Sequence, residues 1–278
     1  MKIDILSDLH LDHYFKPNNT VQDAVTSIYS PIFTNNTQTR PGDVLIIAGD
    51  IGHYNFQNLE VLKIFQNKYY KYIICVLGNH EYYLINEDQK QTYNLNSFTK
   101  VKEMRELINS QDNMYCLDGN IIEIEGIKFG GCDSWYDDAY MKEYYNTVSN
   151  DYINQEWKKY SNDSRYIHGI ENYDDIRKIE LPKIKNVYKD CDVMITHVNP
   201  SFKHEHINSA YHNNQANTFF TSNCYEFLKD GNMKYWIFGH AHDELEFDLY
   251  DVKCICNPMG YPAESEYGDW VWIKSIEI

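Results

Sequence analysis

Five strand-like runs in this chain, Lys2 to Leu6, Asp43 to Ala48, Tyr72 to Leu77, Asp192 to Ile195 and Lys234 to Phe238, each stop at a polar step carrying Asp, Asn or His. The steps are Asp8-Leu9-His10, Gly49-Asp50, Gly78-Asn79-His80-Glu81, Thr196-His197 and Gly239-His240-Ala241-His242. Short apolar or alternating runs bounded by Gly and polar residues read as strands whose ladder ends where the chain must turn. One Asp or His after one strand is commonly a turn cap. Five such exits in one chain constrain the fold much further, because they bring chemistry-bearing side chains to the same kind of place, the tip of a buried strand.

Helical spacing appears between these runs, in Phe56 to Asn67 and in Phe98 to Asn109. Closely spaced strand signals follow at Ile121 to Ile124 and Ile127 to Gly130 around a Glu125-Gly126 turn, and later at Glu244 to Leu249, Val252 to Asn257 and Val271 to Ile276. The mixture predicts an α/β fold, sheets with helices packed outside them. No repeat, linker or like-charge block divides the chain, so residues 1–278 are expected to form a single domain. Two stretches read as additions to its core: Tyr14 to Arg40, and a helical, Tyr-rich insertion at about 133–190 expected to cap the site. Glu244, Glu246 and Asp248 alternate with apolar residues, which describes a strand with one solvated acidic face.

The formal net charge of −16 and pI near 5 count against a surface that tracks nucleic-acid phosphates, which needs clustered Lys and Arg. Arginine occurs only at positions 40, 105, 165 and 177. Two bound divalent cations would leave the molecule acidic while making one local positive well, which favours small anionic substrates. Seven cysteines, an odd number lying mostly in apolar runs, read as reduced core thiols rather than a disulfide framework. Cys254 and Cys256 share a strand face but have no second Cys pair with which to hold a metal. Asp4 and Asp8 interrupt any export signal and no apolar run is long enough to span a bilayer, so a cytoplasmic protein without membrane contact is expected.

Asp8 and His10, two apart at a strand end, can offer an oxygen and a nitrogen to one cation. The Asp50 carboxylate can bridge two cations, Asn79 adds an amide oxygen, His197 and His240 add imidazoles for the second position, and His242 returns to the first. Such mixed donors suit Mn, Fe, Zn or Ni better than the pure oxygen cages preferred by Mg or Ca. Manganese is favoured. Gly49, Gly78 and Gly239 precede ligands at abrupt exits, where positive φ or close backbone approach is expected.

In these blocks the chain resembles the calcineurin-like metallophosphoesterase superfamily, whose Asp-x-His, Gly-Asp, Gly-Asn-His-Glu/Asp, His and Gly-His-x-His pattern is matched from residue 8 to residue 242. The resemblance implies a four-layer α/β/β/α sandwich. It also implies that Asp8, His10, Asp50 and His242 hold one metal, that Asp50, Asn79, His197 and His240 hold the other, and that His80 faces the scissile phosphate. The stretch Asn257 to Pro262 is similar to a loop found after the last His pair in small bacterial and viral members. A water shared by two cations would then supply the attacking hydroxide, with His80 stabilising charge or protonating the leaving oxygen. One departure stands at His53: phosphoprotein phosphatases carry Gly-Asp-x-x-Asp-Arg-Gly there, so the carboxylate partner of the acid is missing and Glu81 or an insertion residue is expected to orient His80.

Arg165 and His168 in the insertion, His204 and His206 in the polar loop after His197, and Tyr83 are the candidate substrate contacts. His212 lies in that same loop. Tyr54, Tyr82, Trp135 and Tyr261 also neighbour the motifs, and core packing is the favoured reading of these aromatics. The expected activity is hydrolysis of a phosphodiester or phosphomonoester of a small, nucleotide-like molecule, the diester being preferred. A metal-dependent DNA or RNA nuclease and a noncatalytic metal-bound interaction module are the alternatives.

Overall fold

The computed structural model describes residues 1–14, 20–25, 41–145, 148–264 and 273–278. Its strands are β1 (Lys2–Leu6), β2 (Val44–Ala48), β3 (Tyr72–Val76), β4 (Met114–Cys116), β5 (Asn120–Ile124), β6 (Ile127–Gly131), β7 (Val193–Ile195), β8 (Tyr235–Phe238), β9 (Leu245–Leu249), β10 (Val252–Cys256) and β11 (Lys274–Glu277). They form a five-stranded sheet in the order β11-β1-β2-β3-β4 and a six-stranded sheet in the order β5-β6-β7-β8-β10-β9. Strands β1 to β4 of the first sheet and β6, β7, β8 and β10 of the second run parallel within their sheets, β4 forming one edge of the first. Antiparallel strands close the edge at β11 and both edges of the second sheet.

Side-chain alternation along each strand sorts the apolar residues into three cores. Val44, Ile46 and Ala48 of β2 meet Val193 and Ile195 of β7 and Ile237 of β8 between the sheets. Leu45 and Ile47 face the other way, onto Val61, Leu62 and Phe65 of the helix Asn55–Lys68 and Val101, Met104 and Ile108 of the helix Ser97–Asn109. Met194, Trp236 and Phe238, with Cys254 and Cys256, point outward from the second sheet onto Ile184, Val187, Phe227 and Leu228. Three cores separate four layers, which is the expected α/β/β/α sandwich. Each fully buried Val, Leu or Ile contributes about 1.5–3 kcal/mol. All seven cysteines are buried and unpaired.

The strand expected at Val271 to Ile276 is observed at Lys274–Glu277, with residues 271 and 272 outside the described residues. Most of the addition expected at Tyr14 to Arg40 also lies outside them. The described helices of the stretch expected to cap the site, at about 133–190, divide between two places. The helix Asp175–Val187 supplies Ile184 and Val187 to the outer core of the second sheet. The helices Asn150–Tyr160 and Asp163–Tyr166 instead place Tyr160 and Asp163 beside the strand tips. Among the described residues no helix is long and apolar enough to cross a membrane.

Candidate metal centre

The carboxyl ends of β1, β2, β3, β7 and β8 converge at one edge of the sandwich, and the polar steps of the sequence leave from those ends. Five of the predicted ligands sit on strained backbone: φ is 53° at Asp8, 43° at His10, 55° at Asp50, 67° at His240 and 52° at His242. A left-handed conformation costs a residue with a Cβ roughly 1–2 kcal/mol, and such outliers cluster where geometry is held for function. The strain turns each chain sharply enough to aim the side chain back over the strand tips. Gly49 is also positive, at φ 87°, and a Cβ there would collide with the His197 ring. Gly78 has ordinary φ but leaves no room for a Cβ between Asp50 and His197.

The predicted ligands form two donor clusters, beside a further group of Asp12, His13 and His53 among the described residues. One atom each from Asp8, His10, Asp50 and His242 lies within 4.8 Å of the others, and so does one each from Asp50, His197 and His240. Asp50 belongs to both. Neighbouring donor atoms are 2.9 Å apart for His10 Nε2 and His242 Nε2, 3.6 Å for His242 Nε2 and Asp8 Oδ1, and 3.4 Å for His197 Nε2 and Asp50 Oδ2. Donors about 2.1 Å from a shared ion lie roughly 3.0–3.4 Å from each other in octahedral or tetrahedral arrangements. The spacings fit a pair of transition-metal ions sharing Asp50. Asn79 Oδ1 stands 3.1 Å from His197 Nε2, at the second cluster.

Acceptors behind the imidazoles assign the nitrogen that faces each cluster. His197 Nδ1 donates to the Ala48 carbonyl at 2.8 Å, His240 Nε2 to the Phe219 carbonyl at 2.9 Å and His242 Nδ1 to Glu264 at 2.8 Å. The opposite nitrogen of each ring is thereby left as a lone-pair donor. Burial lowers the proton affinity of His10 strongly and takes His240 down to about 3, so both offer neutral imidazoles. At His197 burial also opposes charge, but Asp50, with Asp8 behind it, pushes the ring up to about 10. The two buried carboxylates thus make a negative well that demands positive charge.

His80 stands beside both clusters, its Nε2 3.1 Å from the Tyr261 hydroxyl and 3.9 Å from Asp50 Oδ2. Its ring packs at 4.5 Å from His10, 4.7 Å from Tyr83 and 4.7 Å from His53. The partner expected for it is not Glu81. That carboxylate is turned onto the backbone N–H groups of Gly78, Asp50, Ile51 and Gly52 at 2.6, 3.1, 2.7 and 3.0 Å, tying the tips of β2 and β3 together. His53 is held instead by Asp12 at 2.6 Å.

A cavity of about 440 Å³ opens over the clusters, within the range of small-molecule sites. Tyr83 and Tyr261 line it, while Tyr82 and Trp135 are core residues. Arg165, His168, His204 and His206 do not line it. Arg165 is exposed, and His168 joins Ser97 through its backbone. His204 stacks between Tyr144 and His212, and His206 bonds Ser201 and lies on Phe247. The loop after His197 reaches the cavity with Asn208, Tyr211 and Phe220. The sequence reading also missed Asp163, Glu264 and the Phe219 carbonyl, whose contacts join residues far apart in the chain and carry no local signature.

A model of the calcineurin-like phosphoesterases matches residues 1–244. An uncharacterized protein of Acanthamoeba polyphaga mimivirus is 26% identical over 275 residues, covering 93% of this chain and 91% of that relative. The crystal structure of a phosphopantetheinyl hydrolase from Mycobacterium tuberculosis superposes with a TM-score of 0.69 at 14% identity, over 99% of this chain and 95% of that one. At that identity the likeness is one of fold.

Proposed function

Since this chain belongs to the calcineurin-like phosphoesterase family, we propose that it is a two-metal hydrolase of small phosphoric esters, nucleotide-like and preferentially diesters. The observation that carries this reading is the pair of donor clusters joined by Asp50. Asp8, His10, Asp50 and His242 hold one cation, and Asp50, Asn79, His197 and His240 hold the other, manganese being the favoured metal. When bound, the two ions supply charge neutralisation for a phosphoryl group and acidify water near neutral pH.

The protein's own groups do the rest. Glu81 fixes the Asp50 backbone, and the backbone N–H of His80 donates to Asp50 Oδ1 at 2.9 Å, so the shared carboxylate is held before any ion arrives. Burial keeps the His80 ring neutral, with its proton affinity lowered to about 4. A neutral imidazole has one N–H, and Nε2 is the nitrogen that faces Tyr261 and the cavity. There it donates a hydrogen bond to a substrate oxygen and stabilises the charge that develops on it, while keeping its proton.

The cavity wall supports a small substrate with a flat, neutral part. Phe220, Tyr160 and Tyr211 expose their rings there, at 39%, 50% and 50%, and such rings stack on bases. The described lining residues include neither Lys nor Arg, so the site offers no track for a polymer of phosphates. Buried, unpaired cysteines support a cytoplasmic protein.

The test is a screen of the manganese-loaded protein against bis(p-nitrophenyl) phosphate, cyclic nucleotides, dinucleotides, nucleoside monophosphates and single-stranded oligonucleotides. Metal-dependent turnover of the small esters is expected. Preferential, salt-sensitive digestion of the oligonucleotides would make the protein a nuclease instead, and inactivity on every ester with Mn, Fe, Zn and Ni would remove the enzymatic reading.

A further inference from the structure

Asn79 stands in the second cluster with its oxygen toward His197 Nε2, and an amide offers two nearly identical ends. Only hydrogen bonding tells them apart, since oxygen accepts and nitrogen donates. Both N–H bonds of Asn79 are used on the far side: Nδ2 donates to the Tyr83 hydroxyl at 2.8 Å and to Asp163 Oδ1 at 2.9 Å. We propose that Asp163, brought in by the insertion, is a positioning residue of the metal centre that keeps the Asn79 amide oxygen facing the cation position of His197 and His240. The proposal rests on the two-cation reading above.

Asp163 is well suited to this role by what surrounds it. Its residue exposure is 2%, and its Oδ1 also receives the Tyr83 hydroxyl at 2.6 Å. Its Oδ2 receives the Tyr136 hydroxyl at 2.6 Å, which in turn receives Trp157 Nε1 at 2.7 Å. A carboxylate has no proton to offer, so an Asn79 amide flipped end for end would set oxygen against oxygen at Asp163 and an N–H₂ group against the cation. The flipped state loses its hydrogen bonds at one end and its metal contact at the other. Tyr83 alone would not enforce this choice, because a hydroxyl both accepts and donates. The second link is to the fold: Asp163 opens the helix Asp163–Tyr166, so the insertion supplies part of the metal centre as well as a wall of the cavity.

Calorimetric titration of Mn(II) into the full chain, stripped of metal by a chelator, tests the role without any turnover. The unsubstituted protein is expected to bind two ions, and Asp163→Ala to weaken one binding step by roughly tenfold to a hundredfold while sparing the other. Asp163→Asn keeps an acceptor for Asn79 and is expected to lose less of the same step; this variant carries the test if Asp163→Ala does not fold. In an Asn79→Ala background, substitution at 163 is expected to cost no further affinity, because the group it positions is gone. Two unweakened steps in a folded Asp163 variant, or an equal loss with and without Asn79, would overturn the proposal. Absence of any Mn(II) binding by the unsubstituted protein would instead overturn the two-cation reading itself.

Discussion

His80 stands beside the two donor clusters with its side chain in neither, and its roles separate by experiment. His80→Ala removes an imidazole that is in neither donor cluster, so metal content by elemental analysis is expected to match the parent. Turnover is expected to fall by roughly 10²- to 10³-fold, the usual cost of removing one donor to the charge that develops in the transition state. Unchanged turnover would take His80 out of the mechanism. The surroundings of this ring show where reading residues one at a time stops short. The Asp-x-His and Gly-Asn-His-Glu blocks were legible because their spacing is local, whereas the neighbours of His80 were not. Glu81 is adjacent in sequence yet turned onto backbone N–H groups, while Tyr261 reaches the ring from 181 positions away. Proximity in sequence also misdirected the substrate contacts. His204 and His206 follow His197 closely, but a short 3₁₀ turn packs them on Tyr144 and Phe247.

Among the elements, the helix Asp175–Val187 ties the insertion to the second sheet through a buried charge group. Glu180 accepts from the Ser134 backbone at 3.1 Å and from Lys183 at 2.6 Å, and Asp133 receives the Leu77 N–H at 2.9 Å together with Tyr82 and Arg105. This group braces the tip of β3, from which Asn79 and His80 leave. Burial first and Asp133 second push the Glu180 carboxyl up to about 7, from 4.5. Because the folded value lies above the unfolded one, the native state binds the extra proton. That stabilisation is complete below about 4.5 and is lost as the pH rises through about 7. Relative to Glu180→Gln, the parent is therefore expected to lose on the order of 3 kcal/mol of stability between pH 5 and pH 8, the titrations of the buried histidines and Glu81 being common to both proteins. In the variant Lys183 keeps Asp118 as its partner. Parallel pH profiles for the two proteins would remove Glu180 as the cause. At this scale the strands and the two long helices of the first half were legible from periodicity. β4, three residues long and without a pattern of its own, was not. The helices of the insertion were legible as helices but not by destination, since partition between an outer layer and a cavity wall depends on which surfaces remain uncovered.

For the whole molecule, the seven predicted ligands come from positions 8 to 242 and meet only when both sheets are assembled. Ions that bind this arrangement and not the unfolded chain stabilise the fold by mass action, about 2.7 kcal/mol at a free concentration one hundred times Kd. Mn(II) is expected to raise the melting temperature and EDTA to return it to the metal-free value. No shift at saturating Mn(II) would mean that the clusters do not bind it in the folded state. The molecule's formal charge of −16 does not oppose substrate entry in this scheme, because the charge that matters is local.

What the amino-acid order determined by itself is the set of strand exits and the donor types they carry, because alternation, glycine and short spacing act between near neighbours. The layered architecture followed, since apolar faces on both sides of parallel strands must be covered. Only the tertiary structure decided which acceptor fixes each imidazole, which carboxylate turns the Asn79 amide and which rings line the cavity. Those contacts are set by the packing of segments tens to hundreds of residues apart, and a hydrogen bond 2.9 Å long leaves no trace in the spacing of the residues that make it.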